Sequence, residues 1–155
     1  MVFRYAKAED CGLILEFIRK LADYEELLHE VVATEDLLRE WLFEKKTAEV
    51  VFAVVDGVEA GMALYFTNFS TFMGRAGLYL EDLFVLTEYR GQGIGKGLLK
   101  HLAQIAVERG YGRFDWVCLD WNTSSLDFYH SIGAVTKDGW LILRLEGDSL
   151  LNMAK

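Results

Sequence analysis

The sequence predicts an α/β fold in which a single mixed, mostly antiparallel sheet carries helices on both faces. Apolar residues follow strand spacing in some segments and helical spacing in others, in the order β-α-α-β-β-β-α-β-α-β-β. A glycine-rich segment at residues 90–96 also joins a predicted strand directly to a predicted helix. The chain has 155 residues, so we predict one domain spanning residues 1–155.

Each predicted element comes from the spacing of its apolar residues. The predicted strands cover residues 2–6, 49–55, 58–68, 76–86, 114–119, 135–136 and 140–145. The predicted helices cover residues 10–22, a segment that begins after Thr34, residues 94–109, and a short segment that ends at Ser131.

Turn and cap residues mark where several of these elements begin and end. Thr34 is a typical N-cap residue. Asp56-Gly57 favours a two-residue hairpin turn between two strands. Gly110 suits the position just after the end of a helix. Asn122 or Thr123 caps the short helix.

Composition and charge exclude several classes of protein. The net charge of −8 argues against general binding of nucleic acids. No apolar run approaches the roughly 20 residues that span a bilayer, and the N-terminus has no signal-peptide pattern, so we expect a cytoplasmic protein without membrane contact. Cys11 and Cys118 suit a reducing compartment. The histidines and cysteines show no metal-ligand spacing, so no metal is expected.

The charges are unevenly distributed. Residues 22–49 contain nine acidic and three basic residues, a net charge of −6. Residues 88–113 contain five basic and two acidic residues, a net charge of +3. The basic segment suits a phosphorylated cofactor, and the acidic one suits a cationic second substrate. Acidic helix faces are also common as plain solvated surfaces, so both interpretations of the acidic segment stay open.

The glycine-rich segment predicts a binding site for an anion, in particular a diphosphate. A turn from strand to helix leaves backbone N–H groups unpaired and points the positive end of the helix dipole outward. The spacing does not fit Gly-x-Gly-x-x-Gly, and Gly97 stands where a Walker A loop needs serine or threonine. The pattern that remains is Arg-x-x-Gly-x-Gly, formed by Arg90, Gly93 and Gly95.

This pattern resembles the acyl-CoA pyrophosphate loop of the GNAT superfamily of N-acetyltransferases. The order of the predicted elements also matches that of the superfamily. The resemblance implies acetyl-CoA as the cosubstrate, with its pantetheine arm pairing with the strand before the loop. It also implies that this strand and the next one, at residues 76–86 and 114–119, splay apart.

A more particular resemblance runs from about residue 13 to the end of the chain. The segment Tyr79-Leu80-Glu81-Asp82 is similar to the diamine acetyltransferase group, which includes spermidine/spermine and thialysine N-acetyltransferases. Further matching stretches include residues 23–25, 121–122 and 128–129. The resemblance implies a small cationic amine as acceptor, such as a polyamine, a diamine or a lysine-like amino acid, and a homodimer.

The resemblance and the residue chemistry together give a set of candidate site residues. Acetyl-CoA is expected to contact Leu83, Phe84, Val85, Arg90, Gly91, Gln92, Gly93, Ile94, Gly95, Lys96, Asn122 and Tyr129. The amine is expected to contact Tyr24, Glu25, Glu26, Glu81 and Asp82. The expected catalytic residues are Glu81 and Tyr129.

Acetyl transfer needs a neutral amine, a polarised thioester carbonyl and a proton for the leaving thiolate. An alkyl ammonium has a pKa of about 10.4, so a carboxylate must accept its proton, and we assign this to Glu81 acting through water. Backbone N–H groups of Leu83 or Val85 would meet the oxyanion, and Tyr129 would be the general acid. Strand alternation places Glu81 and Asp82 on opposite faces unless a β-bulge intervenes.

Other functions stay open from the sequence. The chain could acetylate a protein N-terminus or a lysine side chain, which would require an open groove. It could also be a non-catalytic acyl-CoA sensor, although such a protein would need neither Glu81 nor Tyr129. Cys118 lies in an apolar segment without a nearby histidine, so we expect direct transfer without an acetyl-enzyme.

Overall fold

One mixed sheet of five strands organises the computed structural model, which describes all 155 residues. The strands are β1 (Val2–Tyr5), β2 (Glu49–Val55), β3 (Val58–Ser70), β4 (Arg75–Val85) and β5 (Phe114–Trp116). Their order in the sheet is the order in the chain. The first four strands pair antiparallel, and β4 and β5 pair in parallel. The predicted α/β class with a mixed, mostly antiparallel sheet is confirmed.

Five α-helices accompany the sheet. They are α1 (Cys11–Tyr24), α2 (Glu35–Leu38), α3 (Ile94–Glu108), α4 (Thr123–Ser131) and α5 (Gly147–Met153). The predicted caps form: the hydroxyl of Thr34 accepts a hydrogen bond from the N–H of Leu37, and the side chain of Asn122 accepts one from Ser125. Short 3-10 turns lie at Ala8–Asp10, Leu28–Glu30 and Thr87–Tyr89.

Helices cover both faces of the sheet, as predicted. On one face, Phe17 of α1 packs with Phe52, Leu64 and Phe84 in a buried apolar cluster. On the other face, α3 approaches so closely that a Cβ on Gly61 would lie 3.1 Å from side-chain atoms of Ile94 and Leu98. Strand residues alternate between the two faces, which explains the long apolar runs in the central strands.

The chain divides into two compact units, Met1–Val117 and Cys118–Lys155. The first unit contains the whole sheet with α1, α2 and α3. The second contains α4 and α5 and no strand. The assignment of residues 1–155 to one domain stays a prediction.

Several element boundaries differ from the sequence predictions. The strands predicted at residues 135–136 and 140–145 do not form, and β5 stops at Trp116. An apolar run has strand propensity, but a strand also needs a partner for its backbone hydrogen bonds, and the run does not specify that partner. Helix α5 was not predicted, and α2 continues as a π-helical turn over Arg39–Glu44.

A cluster of charged side chains ties β1 to β3 and to the start of α1. The guanidinium of Arg4 donates hydrogen bonds to both carboxylate oxygens of Asp10, at 2.8 and 3.0 Å, and to Glu59 at 2.9 Å. The carboxylate of Asp10 also accepts the backbone N–H of Lys7. The hydrogen bonds from Arg4 hold the pKa of Asp10 below its usual value.

We therefore expect Asp10→Asn to lower the free energy of unfolding by about 1–3 kcal/mol at pH 7, since hydrogen bonds to a charged group are lost. The ionised carboxylate stabilises the fold above its unfolded pKa, and this contribution disappears as the pH falls through the lower folded value. Urea denaturation of wild type and variant should thus differ at pH 7, and the difference should shrink as the pH falls below the unfolded pKa of 3.8. Asp36→Asn is the control, because Asp36 is 98% exposed and its ion pair with Arg39 spans 3.6 Å. Equal effects of the two substitutions would contradict this account.

Candidate active site

A β-bulge in β4 places Glu81 and Asp82 together. Leu64 of β3 pairs with Asp82, and the next residue, Tyr65, pairs with Leu80, so Glu81 is the extra residue. A bulge lets two residues oppose one on the partner strand and removes one step of the facial alternation. The two carboxylates therefore share the face that carries Leu64 and Phe84. The condition stated from the sequence, that both acids can serve one site only with a bulge, is met.

The carboxylate of Asp82 has an unusually high affinity for protons. Its pKa is raised to about 6, first by burial and then by the negative charges of Glu81 and Glu25. Burial also raises the pKa of Glu25, which lies just beyond the end of α1. Asp82 takes part in none of the ion pairs within the chain. Three carboxylates thus form a cluster that a cation would stabilise.

Glu26 follows Glu25 in the chain, and its left-handed backbone ends helix α1. Its φ is +62°, in the left-handed region where most residues cost roughly 1–2 kcal/mol. The backbone hydrogen bonds from Glu26 to Asp23 and from Leu27 to Ala22 close the end of α1 in a Schellman motif, which usually has glycine at this position. The side chain of Glu26 is exposed.

The end of β4 presents backbone groups that no strand covers. The N–H of Leu86 donates to Ala60 of β3, so alternation directs the N–H and C=O groups of Leu83 and Val85 away from β3. On that side β5 pairs only as far as Leu80. Leu83 and Val85 therefore form an open edge, as the splayed strands of the resemblance require. Phe84 was predicted beside them as a cofactor contact, but its backbone faces β3 and its ring lies in the core.

The glycine-rich loop has the backbone geometry of an anion site. Gly91 and Gly93 have φ values of +77° and +78°, which only glycine adopts readily. Helix α3 begins at Ile94, and the N–H of Gly97 is the first to bond within the helix, to the carbonyl of Gly93. The N–H groups of Ile94, Gly95 and Lys96 consequently have no acceptor within the helix. Gln92 lies between the two left-handed glycines.

Arg90 and Tyr24, predicted to serve different substrates, lie together. The guanidinium carbon of Arg90 is 4.8 Å from the centre of the Tyr24 ring and 5.1 Å from that of Phe84. These residues border a cleft of about 310 Å³. The cleft is lined by Lys20, Asp23, Tyr24, Phe84, Leu86, Thr87, Glu88 and Arg90. Sequence reasoning missed Lys20 and Asp23, although Lys20 is four residues before Tyr24 and therefore shares its helix face.

The remaining site candidates belong to residues 118–155. Tyr129 lies on α4, with its ring centre 5.7 Å from that of Phe128. Asn122 caps the same helix, as its sequence position predicted. The roles assigned to Tyr129 and Asn122 toward acetyl-CoA stay predictions.

Comparison with known proteins identifies the family. The model of the acetyltransferase (GNAT) family matches residues 15–134. The chain belongs to the GNAT family. A thialysine N-epsilon-acetyltransferase of Mus musculus is 36% identical over 97% of this chain and 95% of its own length. An L-ornithine N5-acetyltransferase of Arabidopsis thaliana is 30% identical over 95% of this chain and 85% of its own length.

Solved structures agree with this GNAT assignment. An integron cassette protein from the mobile metagenome of V. cholerae has 32% identity and a TM-score of 0.82, with 99% of this chain and 97% of its own covered. The N-acetyltransferase names of the relatives place the chain among the acyltransferases. The resemblance to the thialysine and spermidine/spermine group is confirmed.

No helix is both long enough and apolar enough to cross a bilayer. No group of three or more histidine, cysteine, aspartate and glutamate side chains has the arrangement of a metal site.

Proposed function

We propose that this GNAT protein transfers the acetyl group of acetyl-CoA directly to a primary amine of a small cationic substrate. The observation that carries the proposal is the bulge at Glu81, which puts Glu81 and Asp82 on one face near the open edge of β4, where the charge of Glu25 also acts on Asp82. A cluster of negative charge attracts an ammonium group, and the open edge offers N–H groups for a thioester carbonyl. Both reactants would then meet at one end of one strand.

The residues of the glycine loop fit the pyrophosphate of acetyl-CoA. The free N–H groups at the start of α3 and the positive end of the helix dipole suit two phosphate groups. The left-handed turns at Gly91 and Gly93 carry no side chain that would obstruct the approach. The N–H and C=O groups of Leu83 and the N–H of Val85, which point away from β3, fit the amide groups of a pantetheine arm.

The carboxylates would divide the work on the amine. Asp82 binds the ammonium group, because it is half-buried beside two other acids and lacks an ion-pair partner within the chain. Glu81 is exposed at the bulge, where water reaches it, and accepts the proton that the amine must lose. Glu25 adds a further negative charge, suited to a second cationic group of a diamine.

Acetyl transfer in this site needs one base, Glu81, and one acid, Tyr129. The ammonium group first loses one proton to Glu81 through water. The amine nitrogen then forms a bond to the acetyl carbon and the carbon–sulfur bond breaks. The nitrogen releases its second proton, which replaces the one that Tyr129 gives to the thiolate. Backbone N–H groups of Leu83 or Val85 stabilise the negative oxygen in between. Tyr129 donates its phenolic proton to the CoA thiolate, which is basic enough to accept it.

The names of the relatives support small amines as the acceptor class. Two relatives that match over 95% and 85% of their own length are named for thialysine and ornithine, both small diamino acids. A spermidine/spermine acetyltransferase-like protein of Homo sapiens is 33% identical over 97% of this chain, which spans 23% of that longer protein. We further propose that the protein is a cytoplasmic homodimer that binds neither nucleic acid nor membrane.

The test is release of CoA thiol from acetyl-CoA with a panel of acceptors. The panel contains thialysine, ornithine, lysine, putrescine, spermidine, spermine and a lysine-containing peptide. We expect a high kcat/KM for one small cationic amine, and a loss of this activity in the Glu81→Gln variant. Activity on the peptide alone would favour a protein acetyltransferase. CoA binding without turnover of any acceptor would favour a sensor, and either result would contradict the proposal.

A further inference from the structure

Three contacts within the chain fix the guanidinium of Arg90. Its Nε donates a hydrogen bond to the carbonyl oxygen of Val85 at 3.2 Å. Its central carbon lies 4.8 Å from the ring centre of Tyr24 and 5.1 Å from that of Phe84, within cation–π range. Arg90 belongs to none of the ion pairs of the chain. The N–H donors of its two terminal nitrogens therefore form no ion pair with a carboxylate of the chain.

The position of this fixed cation relates it to the glycine loop. Arg90 immediately precedes Gly91 and the turn into α3. The carbonyl that it holds belongs to Val85, on the open edge of β4. One side chain thus links the edge assigned to the pantetheine arm with the loop assigned to the pyrophosphate. Its planar fork of donors matches a phosphate group in geometry.

Tyr24 is the part of this arrangement that a substitution can test. Phe84 belongs to the buried core, so its removal would disturb packing. Tyr24 is 41% exposed at the last position of α1 and contributes its ring to the contact. An arginine side chain that is already held in place loses less conformational freedom when it binds an anion.

We propose that Tyr24 is a positioning residue for acetyl-CoA, holding Arg90 so that its terminal nitrogens meet the pyrophosphate. This inference rests on the proposed function, and it moves Tyr24 from the amine side of the site to the acetyl-CoA side. The amine is then bound by Glu25, Glu81 and Asp82 without a contact from the tyrosine ring.

The experiment measures the dissociation constant of CoA by calorimetry for wild type, Tyr24→Leu, Tyr24→Phe, Arg90→Gln and the double variant Tyr24→Leu/Arg90→Gln. We expect Tyr24→Leu to weaken CoA binding by about three- to thirtyfold, the range of a cation–π contact. Tyr24→Phe keeps the ring and should stay within about twofold of wild type. The double variant should bind no more weakly than Arg90→Gln alone, because Tyr24 acts through Arg90.

Two further readouts separate this role from a general effect on the fold. S-acetylpantetheine has no pyrophosphate, so the ratio of its KM values for wild type and Tyr24→Leu should be near one. With acetyl-CoA, the KM for the cosubstrate should rise while kcat and the KM for the amine stay unchanged. Tyr111→Leu is the matched control: it removes another tyrosine ring near an arginine, Arg109 at 6.0 Å, and should leave CoA binding unchanged.

The outcomes distinguish this inference from the proposed function. A higher KM for the amine with unchanged CoA affinity in Tyr24→Leu would overturn the inference and return Tyr24 to the amine site. Additive effects in the double variant would also overturn it. Failure of wild type to bind CoA would overturn the proposed function itself. Wild type that binds CoA and acetylates an amine, with Tyr24→Leu identical to it, would overturn only the inference.

Discussion

The Asp82→Asn variant is expected to be more stable than the wild-type protein and far less active. Burial and two neighbouring acids raise the pKa of Asp82 to about 6, so the native structure resists its ionisation. At neutral pH the ionised group destabilises the fold, and the shift from 3.8 corresponds to an upper limit of about 3 kcal/mol. Asparagine removes the charge at nearly constant volume. We expect a gain of roughly 1–3 kcal/mol in urea denaturation at pH 7.5.

The pH dependence of the free energy of unfolding, compared between wild type and Asp82→Asn, tests the direction of this change in stability. Between the unfolded pKa near 4 and the folded value near 6, the folded protein binds more protons than the unfolded chain. Wild-type stability should therefore fall as the pH rises across this interval, relative to the variant. A variant that is less stable than wild type at pH 7.5 would contradict the environment described for Asp82.

Loss of activity follows from the proposed role of the same carboxylate. The ammonium group loses a charged hydrogen-bond partner, so kcat/KM for the amine should fall by roughly ten- to a hundredfold. In wild type, kcat/KM should also fall as the pH drops below about 6, where Asp82 becomes protonated. Glu81→Gln is the informative comparison, because Glu81 is exposed and its loss should reduce activity with a smaller gain in stability than Asp82→Asn gives. Unchanged amine kinetics in Asp82→Asn would remove Asp82 from the site.

Tyr129→Phe is expected to lower kcat by about tenfold to a thousandfold, the range that general acid catalysis contributes. The ring remains, so KM values should change little. The measurement is single-turnover CoA release, which isolates the chemical step. Tyr111→Phe is the control: its hydroxyl hydrogen-bonds Thr67 at 2.7 Å in the sheet unit, and its loss should leave kcat within about twofold. An unchanged chemical rate in Tyr129→Phe would exclude it as the acid.

The sequence predicted the turns and helix caps correctly, because their geometry depends on residues that are close together in the chain. Asp56 and Gly57 have φ values of +49° and +78°, and strands β2 and β3 begin and end around them as the sequence indicated. Thr34 and Asn122 cap the helices for which they were selected. In each case the determining hydrogen bonds or dihedral angles lie within a few residues of one another.

Features that depend on distant partners could be predicted only in part. The bulge at Glu81 arises from pairing with Leu64 and Tyr65, so the sequence showed only that a bulge was needed. The contact between Tyr24 and Arg90 joins residues that are far apart in the chain, and each residue alone suggested a different substrate. The strand predicted at residues 140–145 has the right composition but no pairing partner in its unit.

The bulge at Glu81 has a consequence for how this site can change by insertion or deletion. Leu80 and Asp82 already pair with neighbouring residues of β3, Tyr65 and Leu64, so deletion of Glu81 would leave the pairing on both sides in register. The deletion would remove one carboxylate and keep the N–H groups on the open edge in place. An insertion opposite Leu64 can therefore add a side chain to the acid face, and a single-codon deletion can remove it, without a shift in the rest of the sheet.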